Sequence, residues 1–393
     1  MSREFSKHVT LSGTNGSINS LAFSPDNKRL ASGGDDERVR IWSLNTSSCE
    51  HELAATHRYA EEHYGWGQIT SLLWVNPEAG VNPVLFVGTG RGTVILFEQT
   101  GNTISRMPKQ VISVFKFNDS VECSACSQDR FAFASHSGHI KLFRLSNGQL
   151  ESLWEINTAL PTLLTGLTFY GRSKLFAAWL DTGRLCSLRD TDGAEEWSKH
   201  LNGAIGHASF TRNRKKIAAY NVNTGHFDVY SLPDASFVSE LRVSHLTTLV
   251  KESVFVDLEG RQIACGGDDG HVYIFDTDNG DLVQKLVHQP ASAVQAIAAS
   301  GGGNPMIASA DDTSGIIVVW SSKPVAKPLQ KPSENPEDTW RSSKYPTVLE
   351  LILFMLMCIQ ATLIFYLFEE RLMNVAGTMR HSLSSAFANV TRR

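Results

Sequence analysis

The sequence lacks an excess of basic charge: 36 Lys+Arg stand against 40 Asp+Glu in 393 residues, a formal net charge of −4. That balance leaves no electrostatic footprint for gripping a nucleic-acid backbone. Cysteine is sparse, with Cys49, Cys123, Cys126, Cys186, Cys265 and Cys358 scattered along the chain. No disulfide framework is implied, and the expected setting for most of the chain is a reducing cytosol. The first residues, MSREFSKHVTLSG, lack the apolar stretch of a secretory signal. Also missing are G-x-x-x-x-G-K-S/T, H-E-x-x-H, G-x-S-x-G and the kinase signature set, so the reading is of a protein that is not an enzyme, with no catalytic residues, no cofactor and no metal. A hydrophobic content of 42% in turn excludes a disordered polymer.

Long apolar runs are missing too, until Val348–Phe368, where 21 residues contain only Glu350 and Gln360 as strongly polar side chains. A helix of that length crosses a hydrocarbon core of about 30 Å. Glu350 lies in its first turn, within reach of the interface, whereas Gln360 lies near the middle and would seek a partner helix, a pointer to weak self-association. Before the span, residues 321–347 hold Pro324, Pro328, Pro332, Pro336 and Pro346, the composition of an extended linker. After it, residues 369–393 carry apolar side chains at helical spacing from Leu372 to Val390, which reads as a short amphipathic helix or a frayed tail. Arg341 and Lys344 on one flank nearly balance Arg371 and Arg380 on the other. Orientation therefore rests on the missing signal: the large N-terminal part is expected in the cytosol, with a tail anchor in the endoplasmic reticulum or another endomembrane. Asn389-Val390-Thr391 would then be a lumenal glycosylation sequon.

The first 320 residues repeat. Short apolar runs end at Trp42, Phe97, Phe143, Leu188, Tyr230, Phe275 and Trp320, at gaps of 55, 46, 45, 42, 45 and 45 residues. Each run follows a second apolar strand and a Gly/Asp-rich turn, as in RLASGGDDERVRIW and QIACGGDDGHVYIF, and a third strand of the type SINSLAFSP lies further upstream. Four short strands per unit of about 45 residues is the spacing of propeller blades.

On these residues the chain resembles the WD40-repeat β-propellers, most closely in SINSLAFSPDNKRLASGGDDERVRIWSL, then in QIACGGDDGHVYIFDTDNG. The resemblance implies an all-β fold of seven blades over residues 1–320, with residues 5–11 closing the last blade, ahead of the linker and the transmembrane helix. It also implies that Asp36 and Asp269, six residues before Trp42 and Phe275, are turn aspartates that accept hydrogen bonds and fix their blades. Blades two to five carry Arg91, Ser137, Thr182 and Thr224 at that offset, and blade seven has Asp311-Asp312 displaced by a longer turn, so these blades depart from the family pattern.

Three segments stand out as candidate sites. The longest gap places extra residues in 55–67, where His57, Arg58, Tyr59, Glu61, Glu62, His63, Tyr64 and Trp66 crowd together. Aromatic and Arg side chains of this kind suit a partner-binding loop on the narrower propeller face, or else Tyr and Trp merely cover a blade junction. Arg212, Arg214, Lys215 and Lys216 form a basic run in the turn between the first two strands of blade five, a solvated hairpin tip or a contact for anionic lipid headgroups. Cys123 and Cys126 with His136 and His139 imitate a zinc motif, but their gaps of nine and two residues do not fit one. Two functional readings follow: a membrane-tethered scaffold that binds protein partners through propeller loops, or, by layout alone, a guanine-nucleotide exchange factor for a COPII-type small GTPase at the endoplasmic reticulum.

Overall fold

The computed structural model describes residues 3–55, 65–76, 82–106, 117–146, 149–157, 163–171, 174–290 and 292–324. They form seven antiparallel sheets of four strands each. In six of them the strands pair in chain order, so each is a simple meander. Blade one runs Ile18–Phe23, Arg29–Gly34, Val39–Ser43 and Ser48–Leu53. Blades four and five, whose sequences depart most from the repeat, keep four strands as well. The seventh sheet takes Arg3–Leu11 as its outermost strand, paired antiparallel with Ile317–Pro324.

Burial follows the position of a strand within its blade. The second strands are buried at every residue, as in Arg29–Gly34 and Val84–Thr89, or at all but the first, as in Lys174–Trp179, because sheets stack on both of their faces. Outer strands are more exposed, as in Glu195–His200, whose charged side chains discourage edge-to-edge pairing. The core is accordingly not one mass but seven layers, one at each junction between neighbouring blades. The layer between blades six and seven includes Phe5 from the first strand with Trp320 and Val318. Gln284 of blade six also holds the Phe5 backbone from both sides: its Oε1 accepts from Phe5 N at 2.9 Å, and its Nε2 donates to Phe5 O at 2.7 Å. The first strand thus binds two blades at once.

Blade seven is also fixed from within. Trp320 Nε1 donates to Ser309 Oγ at 3.1 Å, and His288 Nδ1 stands 2.9 Å from the same oxygen. His288 Nε2 faces Asp311 Oδ2 at 3.7 Å, with both side chains fully buried. Burial alone would raise the Asp311 pKa, but the nearby His288 ring and the hydrogen bonds from Ser314 and Thr313 outweigh it and hold the carboxyl well below the usual range. Blade one has the Trp42–Ser32 hydrogen bond at 2.8 Å; its turn carboxylate, Asp36, pairs with Arg40 instead. A carboxyl with a depressed native pKa stabilises the fold above its unfolded value and loses that effect as pH falls. Asp311→Asn is expected to cost about 1–3 kcal/mol at neutral pH, with the difference shrinking below about pH 4; urea unfolding at pH 7 and pH 2.5 checks both halves.

Candidate functional site

The innermost strands line the central channel, and a repeated irregularity shapes its mouth. In six blades this strand slips by one residue against its neighbour, between Ile18 and Ser20, Ile69 and Ser71, Val121 and Cys123, Leu164 and Gly166, Ile205 and His207, and Val294 and Ala296. Such a bulge sharpens the twist and leaves one residue outside the ladder. Those residues are Asn19, Thr70, Glu122, Thr165, Gly206 and Gln295, and all six line a cavity of about 470 Å³ at the upper face, which carries the loops between blades. Glu252, just before the Ser253–Phe255 strand, lines it too and completes the ring.

Directly before each bulged residue stands a fully buried aliphatic side chain: Ile18, Ile69, Val121, Leu164, Ile205 or Val294. Blade six breaks the series with Lys251. Its ammonium lies 3.1 Å from Asp268 Oδ1, with both side chains fully buried. Lys251 also donates to Tyr220 Oη at 3.0 Å and to Leu249 O at 2.9 Å, and lies 5.1 Å from the centre of the Tyr220 ring. Asp268 in turn accepts from Leu246 N at 2.6 Å and from Thr247 N at 2.7 Å and Oγ1 at 3.0 Å. Burial pushes its pKa up, but the bonds from Thr247, Leu246 and Lys251 bring it below the ordinary value.

Buried ion pairs contribute little net stability, yet with all their hydrogen bonds made they fix geometry. What this one fixes is the loop between blades five and six, which presents Leu246 at 76% exposure together with half-exposed Leu249 and Val250. Val222 joins them: a Cβ at Gly206 would meet Val222 Cγ2 at 2.9 Å and Val250 Cγ2 at 3.1 Å. Both valines therefore lean over the glycine at the cavity rim. The result is an apolar ledge beside the channel, anchored by the buried pair.

The cavity itself is polar and one-signed. Asp35, Glu122 and Glu252 line it, and none of its described lining residues is Lys or Arg. Burial pushes the Glu252 pKa up to about 7 despite the hydrogen bond from Ile297 N at 3.0 Å. Burial drives His207 down to about 4, so its ring is neutral at physiological pH. Burial, then the charges of Glu122 and Glu252, push the Cys123 thiol far up, and burial raises Cys126 to about 11, so neither is poised as a thiolate. Among the described residues no group of three or more His, Cys, Asp or Glu is placed to hold a metal ion. The arrangement has the makings of a recognition surface.

The residues expected from sequence are distributed unevenly. Asp36 accepts from Asn15 N and Arg38 N at 3.3 Å each and from Arg40 Nη1 at 2.6 Å, a turn aspartate within an ion pair. Asp269 differs: its carboxylate accepts from the side chains of Tyr273 at 2.9 Å and Lys285 at 2.8 Å, and the loop amides go to Asp268 instead. Phe275 is buried and stacked on Tyr273 at 6.0 Å. Trp66 is buried in the layer between blades one and two, edge-on to Phe97 at 6.3 Å, where it covers the junction. Residues 57–64, the span 348–368 and Asn389 lie outside the described residues.

The side chains of the basic run go to different partners. Lys216 is drawn inward to Asp278 at 2.5 Å and Thr277 at 2.7 Å, whereas Arg212 and Arg214 reach Ala299 O and Gly171 O at 3.4 Å and Lys215 is exposed. Of the zinc-like four, His136 pairs with Glu122 at 3.1 Å and His139 packs against the Phe117 ring.

Residues 5–43 match the family model for the WD domain, G-beta repeat. The chain is a seven-bladed propeller carrying a WD40 repeat. The matched stretch runs from the closing strand through the third strand of blade one, which has the Trp42–Ser32 bond and the Asp36 turn. Sequence reading missed Lys251, Asp268 and the ledge. The signal was available: aligning the seven inner strands leaves Lys251 as the one charge in an aliphatic column.

Lys251→Met is expected to cost about 3–5 kcal/mol, because it strands the Asp268 carboxylate. Lys251→Ile combined with Asp268→Asn should recover part of that in chemical denaturation. Glu252 titrates the opposite way to Asp311. A carboxyl whose native pKa is raised favours the fold below its unfolded value of 4.5 and loses that share as pH rises through about 7. Glu252→Gln should therefore flatten the fall in stability between those values and leave the protein about 1–3 kcal/mol more stable at pH 8, as read from unfolding curves at pH 5 and pH 8.

Proposed function

We propose that this protein is a non-enzymatic scaffold that holds protein partners at a membrane. The observation that carries the reading is the apolar ledge of Leu246, Leu249 and Val250, kept at the channel mouth by a buried Lys251–Asp268 pair. Exposed apolar side chains on a loop anchored at such cost are what a binding surface needs, since less ordering entropy remains to oppose association. The acidic mouth argues for protein and against nucleic acid as the partner. Membrane attachment rests on the apolar run of 348–368 and the Pro-rich stretch before it. Tethering confines partners to a thin layer beside the bilayer, so contacts of micromolar strength suffice to assemble a complex there.

Proximity labelling in cells tests the proposal with three forms: the full chain, a chain whose residues 348–368 are replaced by a Gly/Ser segment, and Leu246→Ser/Leu249→Ser. The form without the apolar segment is expected to lose membrane-associated neighbours. The double variant should lose partners while its melting temperature stays unchanged. An identical set of labelled proteins for all three would overturn the reading.

A further inference from the structure

We propose that the channel mouth receives a lysine or arginine side chain of a partner protein, seated against Glu252, while apolar residues beside it in the partner rest on Leu246, Leu249 and Val250. The inference builds on the scaffold reading and names the chemistry of the partner. Its first support is the charge of the cavity, where Asp35, Glu122 and Glu252 face the space and no described lining residue brings a cation of its own. Walls of low dielectric around charges of one sign concentrate the field, so the mouth attracts positive groups from solution.

The second support is the state of the carboxylates. Asp35 Oδ1 accepts from Asn19 Nδ2 at 2.9 Å, and Glu122 Oε1 is 3.1 Å from His136 Nδ1, so both are engaged at the rim. Glu252 lies deeper and lines both the upper cavity and a second cavity of about 680 Å³ further along the channel. Its Oε2 takes the Ile297 amide, and Oε1 has no hydrogen-bond partner among the described residues. That oxygen opens onto the channel, where it is free to accept a charge-assisted hydrogen bond from an incoming cation. Lys251, the neighbouring cation, is turned away to Asp268 and cannot supply it.

The third support is the ledge. Val250 belongs both to it and to the cavity lining, so apolar and acidic surfaces meet at one residue. A lysine or arginine suits that junction, because its aliphatic stem packs on Val250 and its head reaches into the channel. A purely apolar segment would leave the mouth unfilled, and a purely basic one would leave the leucines exposed.

The test titrates the full chain, in detergent, with a fluorescent Ala-Leu-Arg-Leu-Ala peptide and its counterpart carrying neutral citrulline in place of arginine. Saturable binding of the arginine peptide is expected, at least tenfold weaker for citrulline. Glu252→Gln should reduce the arginine peptide to the citrulline level, and Leu249→Ser, an exposed change that does not threaten the fold, should weaken both. Equal affinity for the two peptides, unchanged binding in Glu252→Gln, or no saturable binding overturns the cation seat. If Glu252→Gln binds normally while Leu246→Ser/Leu249→Ser still loses its cellular partners, the seat is wrong and the scaffold stands. If no partner is labelled in cells, the scaffold fails, and the titration decides the seat by itself.

Discussion

Every blade here has two apolar faces, so none is stable until it is covered on both sides, and the ring must close before any part of it holds. Closure depends on one pairing, Arg3–Leu11 against Ile317–Pro324, which joins residues some 300 positions apart. Bringing such distant segments together costs chain entropy that local turns do not repay. The compensation is spread over seven inter-blade layers, which explains why Phe5 is tied to blade six as well as to blade seven.

The channel mouth follows from the same geometry. A bulge at an equivalent place in six inner strands supplies twist and at the same time frees one residue per blade from the ladder. Architecture thus demands the bulges but leaves their side chains open, and the chain fills those positions with two amides, two hydroxyls, a glycine and an acid. The position just before is not open: it faces the core, and six aliphatic residues obey that demand. Lys251 violates it only because Asp268, Tyr220 and the Leu249 carbonyl satisfy the ammonium. A broken packing rule with full compensation marks the place where stability has given way to another requirement.

The blades were legible in sequence because their spacing and their strand-closing aromatic residues repeat, and because burial on both faces writes second strands as continuous apolar runs. The carboxylate roles were less legible. Asp269 has the offset of Asp36, but whether an aspartate bonds amides or side chains depends on the loop that crosses it, and in blade six that loop selects Asp268. His288 was overlooked for a similar reason, since it lies in a connection without periodicity and meets Ser309 and Asp311 only after folding. Trp66 shows the converse: an aromatic in a long loop looks like a contact residue until the junction it covers is in view.

The last described strand, Ile317–Pro324, is not at an edge, for Arg3–Leu11 flanks one side and Met306–Asp311 the other. Any tension applied through the residues that follow Pro324 therefore enters the ring between two hydrogen-bonded ladders. An edge strand under the same load would peel away one bond at a time. Here the pull is shared by both neighbours, and the segment that closes the ring also serves as its mechanical clamp.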